Sequence, residues 1–233
     1  MYLQITTRCN MTCAHCCMSA KAAGLDMPRE VFSAALETAA RYGQHVTLGG
    51  GEPTCHKEFF VYLDRAIDYY LRRQIDLAPL VVTNGKRVRA AWRLLDYVDE
   101  GRPLWVDLSQ DEFHDPIRSD IVAAFRLRQK RQEDRQHAWG WRQPLVEREP
   151  EGGAGIRTVR RLLAVGRART LATHLPVDEG CCCSDPLVDP LGDVYACGCK
   201  THRLGNLLTD GDDFLQAYDY EFAHTGGVAR QAA

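Results

Sequence analysis

Three cysteines in a CxxxCxxC spacing, Cys9, Cys13 and Cys16 of TTRCNMTCAHCC, follow directly on a short β-patterned start, YLQITT. Three thiols delivered by one loop at the end of one strand constrain this chain more than any other feature of its sequence. Soft thiolates select iron–sulfur clusters or zinc. A cubane held by three of them keeps one iron open to a further ligand, whereas structural zinc closes its tetrahedron with a fourth Cys or His. His15 and Cys17 stand near enough to tempt as that fourth ligand. Adjacent residues chelate one ion poorly together, so the spacing favours the open cluster, with zinc the alternative.

The surrounding pattern says where such a loop would sit. YLQITT, HVTL at 45–48, PLVVT at 79–83 and PLWVDL at 103–108 read as strands, and between them lie helical apolar stripes. The stripes are Phe32, Ala35, Leu36 and Ala39; then Phe60, Leu63, Ile67 and Tyr70; then Val88, Ala91, Trp92 and Leu95. This βαβα order predicts a parallel sheet with crossover helices, whose strand carboxyl ends gather the active-site loops on one side. Beyond Ser119 a polar helix begins, with Arg128, Arg131 and Arg135 forming either a basic binding stripe or, more plainly, a solvated face. Two further strands are expected within 136–148 and 161–166, joined by the turn-rich EPEGGAG.

Composition narrows the function classes. A chain of 233 residues that is 45% hydrophobic and 26% charged is neither disordered nor membrane-embedded, and its net charge of -2 gives no overall attraction to nucleic acid or anionic lipid. Ten cysteines, with no secretory h-region at the amino terminus, predict metal or redox chemistry in the cytoplasm rather than disulfides.

Each further strand ends in residues suited to a polar ligand. LGGGEPTC, residues 48–55, offers backbone free of Cβ atoms at Gly50 and Gly51, and a carboxylate at Glu52 followed by Pro53. VVTNGK ends the third strand with Thr83, Asn84 and Gly85, which alone is a turn signal. SQDEFHD follows the fourth, where Asp111 or Asp115 could cap a helix and His114 could move protons. VGRAR supplies Gly166, Arg167 and Ala168. Cys55 could donate hydrogen from its thiol, although packing is the simpler role.

Taken in order, CxxxCxxC after the first strand, Gly50–Pro53 after the second, the TNG at 83–85 and the SxD of Ser109 and Asp111 resemble the motifs of the radical S-adenosylmethionine (radical SAM) superfamily. His15 departs from the aromatic residue that usually precedes the last cysteine of that motif. The resemblance implies a partial (β/α)6 TIM-like barrel and a [4Fe-4S] cluster on Cys9, Cys13 and Cys16. It implies SAM held by Gly50, Gly51, Glu52, Pro53, Asn84, Ser109, Asp111 and Arg167, with Asp111 and His114 as catalytic candidates. An external electron donor of the flavodoxin or ferredoxin type is implied as well.

The tail adds Cys181, Cys182, Cys183, Cys197 and Cys199 around a GDVY turn and an LGN. The run from Cys182 through Gly192 to Cys197 resembles the opening of SPASM and Twitch extensions. That implies an auxiliary [4Fe-4S] cluster, with zinc again the alternative. The expected organisation is a barrel over 1–175, a small Cys-rich module over 176–210 and a terminal helix and tail over 211–233. Such extensions imply a peptide or protein side chain as substrate, with a small metabolite as the second reading and a non-catalytic zinc module as the reading from another class.

Overall fold

The computed structural model describes residues 1–138, 152–158, 165–171, 185–200 and 202–215. Its strands are β1 (Tyr2–Thr6), β2 (Thr47–Gly50), β3 (Leu80–Thr83), β4 (Trp105–Ser109), β5 (Gly153–Arg157), β6 (Leu187–Val188), β7 (Asp193–Tyr195) and β8 (Arg203–Asn206). The helices are α1 (Arg29–Arg41), α2 (Phe59–Arg72), α3 (Val88–Asp99) and α4 (Ser119–Ala138), with single 3-10 turns at Pro53–Cys55 and Gly166–Thr170.

One sheet runs β5-β4-β3-β2-β1-β6-β7-β8, with every pairing from β5 through β1 to β6 parallel and the last two antiparallel. This is the β/α architecture of a partial barrel. Because β1 to β4 run the same way, the loops that follow them all emerge at one edge. Leu3, Ile5, Leu48, Val81, Val106 and Leu108 are fully buried between sheet and helices. Each such side chain contributes roughly 1.5–3 kcal/mol against exposure.

The helical faces are those the periodicity indicates, with two exchanges. In α2, Phe59 and Tyr62 bury with Leu63, Ile67 and Tyr70, while Phe60 is only partly covered and lies under the Arg93 guanidinium, 4.0 Å from its ring centroid. In α3, Leu94 joins Ala91 and Leu95, and Trp92 is exposed. Alpha-helical spacing places 91, 94 and 95 on one face and turns 92 away from it.

The expected strand positions after α4 need correction. Helix α4 runs to Ala138, and β5 occupies Gly153–Arg157, inside and just beyond the segment read as a linker. Two glycines in five residues have poor intrinsic strand preference, but five consecutive pairs with β4, from Trp105↔Gly153 to Ser109↔Arg157, override it. Residues 139–148 and 161–164 lie outside the described residues. Arg128 pairs with Asp99 at the end of α3, so this arginine of the basic stripe is engaged within the fold.

Strand β6 adds to the free edge of β1 through Tyr2↔Leu187 and Leu3↔Val188, and β7 and β8 continue from it. Val188, Val194, Leu207 and Leu215 pack into the same core as β1. Asp212 fastens this segment to α1, accepting from Arg41 Nη1 at 2.6 Å and Thr38 Oγ1 at 3.4 Å.

Candidate functional site

The loop from Thr7 to Met27 is tied to itself at its base. Thr7 N–H donates to the Leu25 carbonyl at 2.9 Å and Cys9 N–H to the Lys21 carbonyl at 2.7 Å. Asp26 accepts from Thr6 Oγ1 at 2.7 Å and from the Arg8 guanidinium at 3.2 Å. Within it, Cys13 is buried and Cys9 and Cys16 are half-buried. Burial pushes the Cys9 thiol up to about 11, although the Met11 amide opposes the shift, and raises Cys13 above its ordinary value against an Asp115 amide. A soft metal centre replaces those protons on binding, so three buried or half-buried thiols on one loop fit a three-thiolate cluster.

The second strand's loop presses directly on this one. Gly50 has φ +140, and a Cβ there would stand 2.2 Å from the Thr6 carbonyl oxygen; one at Gly51 would meet the Arg8 carbonyl at 2.2 Å. Gly51 N–H donates to Thr6 O at 2.9 Å and Glu52 N–H to Arg8 O at 2.8 Å. The close approach that these glycines allow is therefore between the chain's own two loops. Glu52 is 1% exposed, and its carboxylate accepts from Thr54 N, Thr54 Oγ1, Thr83 Oγ1 and Asn84 N. Burial raises its carboxyl above the ordinary range while these four donors hold it down in part. Pro53, buried, opens the 3-10 turn that Glu52 caps.

Asn84 carries the network onward. Its side-chain amide donates to Asn10 Oδ1 at 3.0 Å and lies 3.7 Å from Cys9 Sγ, so the third strand's end touches the first cysteine. Asn10 and Thr54 are partners that the sequence reading passed over. Asn10 lies inside the quoted CNMTC, and its short polar side chain beside the first cysteine was the available signal.

After β4, Asp111 folds an Asx turn, accepting from Phe113 N at 2.9 Å, and lies 2.8 Å from His114 Nδ1. His114 Nε2 lies 3.4 Å from Ser109 Oγ. An Asp–His–Ser chain of this kind fixes the imidazole with its Nδ1 proton toward the carboxylate and its Nε2 toward the hydroxyl. Neither Asp111 nor Asp115 caps α4, which begins at Ser119. His15 reaches into the same group: Nε2 lies 3.5 Å from Asp111 Oδ2 and its ring stands 4.8 Å from His114 and 5.3 Å from Phe113. Burial lowers the His15 imidazole below its ordinary value, with Asp111 pulling the other way. His15 Nδ1 and Asp111 Oδ2 are buried without a hydrogen-bond partner. Two unsatisfied polar atoms beside the cysteine loop are what a site for a polar ligand requires.

Arg167 stands under the loop, with Nε on the Cys13 carbonyl at 2.9 Å and Nη1 on the Ala20 carbonyl at 2.7 Å. Those two guanidinium donors are directed at the loop backbone. In the tail, Cys197 and Cys199 occupy the turn between β7 and β8 and are half-buried. Cys181, Cys182 and Cys183 lie outside the described residues.

The sequence model of the Radical SAM superfamily matches residues 3–139. Comparison with curated proteins gives no match. Among solved structures the chain is similar to BtrN in complex with AdoMet and 2-DOIA, at 16% identity and a TM-score of 0.56, covering 94% of this chain and 85% of that one. It is also similar to anSMEcpe with bound AdoMet and Cp18Cys peptide, at 17% identity and 0.53, covering 92% of this chain and 78% of that one. At these identities the likeness is one of fold.

Proposed function

The chain belongs to the radical SAM superfamily, and on that footing we propose that it removes a hydrogen atom from a peptide or protein side chain laid over the carboxyl ends of β1 to β4. It is an enzyme whose family cofactors are SAM and a [4Fe-4S] cluster. The observation that carries the reading is the Cys9–Cys13–Cys16 loop, held at its first cysteine by Asn84 and faced by the unsatisfied His15–Asp111 pair. Held by Cys9, Cys13 and Cys16, the cluster would supply the electron for reductive cleavage of SAM.

The residues divide the remaining work. Cys9, Cys13 and Cys16 bind the cluster. Gly50, Gly51, Pro53, Ser109 and Asp111 border SAM, while Glu52 and Asn84 hold the loops that shape its pocket. His114, oriented by Asp111, is the catalytic proton-transfer group at the substrate side. Cys197 and Cys199, with two of Cys181, Cys182 and Cys183, hold an auxiliary [4Fe-4S] cluster in the segment 176–210, beyond the barrel of 1–175 and before the tail of 211–233. A flavodoxin or ferredoxin supplies the electron in the cytoplasm. Among the described residues no helix is long and apolar enough to cross a membrane. The peptide assignment draws support from the likeness of the cysteine tail to SPASM and Twitch extensions and from anSMEcpe, whose structure holds a Cp18Cys peptide. A small metabolite is the second reading, favoured by BtrN, whose structure holds 2-DOIA.

Anaerobic reconstitution with iron and sulfide tests both halves. Two cubanes per chain and dithionite-dependent release of 5′-deoxyadenosine are the expected result; stoichiometric zinc with intact SAM overturns it. His114→Gln is expected to lower substrate conversion about 10²-fold, within the range of general acid–base groups, while SAM cleavage without substrate stays within about threefold. The ratio of product to 5′-deoxyadenosine measures this, and an unchanged ratio removes His114 from the chemistry.

A further inference from the structure

The Gly166–Thr170 turn follows the barrel strands in the chain, yet its contacts are with the loop at the start of the chain. Arg167 makes three of them: N–H to Cys16 O at 3.0 Å, Nε to Cys13 O at 2.9 Å and Nη1 to Ala20 O at 2.7 Å. These reach across 147 to 154 residues of sequence and meet two of the three proposed cluster ligands at their carbonyls. Gly166 makes the approach feasible. It has φ +56, and a Cβ there would stand 2.4 Å from the Cys16 carbonyl oxygen and 2.3 Å from that of Cys17. Both the conformation and the space require glycine at this point.

We infer that Gly166 and Arg167 form a latch on the cluster loop, with Arg167 a positioning residue that fixes the main chain of Cys13 and Cys16 and biases the cluster toward its reduced form. The inference rests on the cluster reading of Cys9, Cys13 and Cys16. A planar guanidinium holds two carbonyls at once where an ammonium offers a single point charge. Carbonyls held in place limit the main-chain freedom of Cys13 and Cys16 before any metal arrives. The same cation, seated on the carbonyls of Cys13 and Ala20, favours the state carrying one more negative charge, and cluster potentials respond to nearby charge and hydrogen bonds.

Three full-length variants separate these effects. Arg167→Gln removes charge and fork, Arg167→Lys keeps the charge and loses the fork, and Arg169→Gln removes the exposed arginine two residues on. Hydrogen exchange over residues 9–21 of the cluster-free chain reads the loop. Iron release from the reconstituted protein to a chelator, together with the cluster midpoint potential, reads the metal centre. For Arg167→Gln, exchange and iron release are expected to rise about tenfold, the order set by losing charge-assisted hydrogen bonds. Its reduction equilibrium should become about tenfold less favourable, 59 mV for a one-electron couple. Arg167→Lys should exchange at least about threefold faster than the parent while its potential stays near the parent's, and Arg169→Gln should match the parent throughout. Parent rates in Arg167→Gln, or in Arg167→Lys if the glutamine variant does not fold, overturn the latch. An equal potential shift in Arg169→Gln overturns the bias. SAM cleavage by the parent enzyme tests the cluster reading separately, because the exchange measurement needs no cluster.

Discussion

Replacing any one of Cys9, Cys13 and Cys16 by alanine is expected to lower dithionite-dependent 5′-deoxyadenosine release by about 10³-fold or more. Metal centres held by thiolates contribute on the order of 10–16 kcal/mol of apparent binding free energy. Shared among three ligands, the loss of one removes roughly 4 kcal/mol, or about three decades in occupancy. Burial sharpens the effect. Burial raises the Cys9 and Cys13 thiols in the metal-free loop, so their deprotonation is coupled to metal binding. Iron and sulfide content per chain should fall in step with activity. Cys17→Ala is the matched control: Cys17 lies one residue beyond the motif, and its loss should leave both within about twofold. Normal iron content and SAM cleavage in Cys13→Ala would remove the premise of the proposed chemistry.

The sequence announced the elements whose signals are local. Alternating and continuous apolar runs locate β1 to β4, and the motif residues follow at their carboxyl ends, because side-chain period and turn chemistry are written within a few residues of one another. What it concealed depends on distant partners. Strand β5 looks like a linker because Gly153 and Gly155 signal a turn until β4 is alongside to pair with them. Glu52 reads as a polar residue after β2, but its bonds to Thr83 and Asn84, some thirty residues on, are not written locally. Arg167 reads as a polar residue after a strand, and the carbonyls its Nε and Nη1 meet lie about 150 residues earlier. His15, a departure from the usual aromatic residue, acquires meaning through Asp111, Phe113 and His114, about a hundred residues on. In each case the residue type was legible as polar and important, while its partner belongs to the tertiary fold.

Glu52→Gln, nearly isosteric, is expected to cost about 2–3 kcal/mol of stability, because no orientation of the amide satisfies the site. Oε1 accepts from the Thr54 backbone N–H at 3.2 Å and Oε2 from that of Asn84 at 2.7 Å. The Thr54 and Thr83 hydroxyls, at 2.5 and 2.8 Å from Oε1, can turn to become acceptors, but the two main-chain donors cannot. Whichever way the glutamine amide lies, its NH2 therefore faces one backbone N–H in a group buried to 1% exposure. For a domain of this size the loss corresponds to a fall in Tm of roughly 4–12 °C, readable by calorimetry on the metal-free chain. The cost also propagates. A displaced Asn84 draws its side chain from Asn10 and from Cys9 Sγ, so iron retention should weaken together with stability. A Glu52→Gln protein that melts within about 1 °C of the parent would show that the four donors contribute nothing net, and that the loop after β2 is held by its main-chain bonds to Thr6 and Arg8 and by Arg8 and Arg87 on the Cys55 and Thr54 carbonyls.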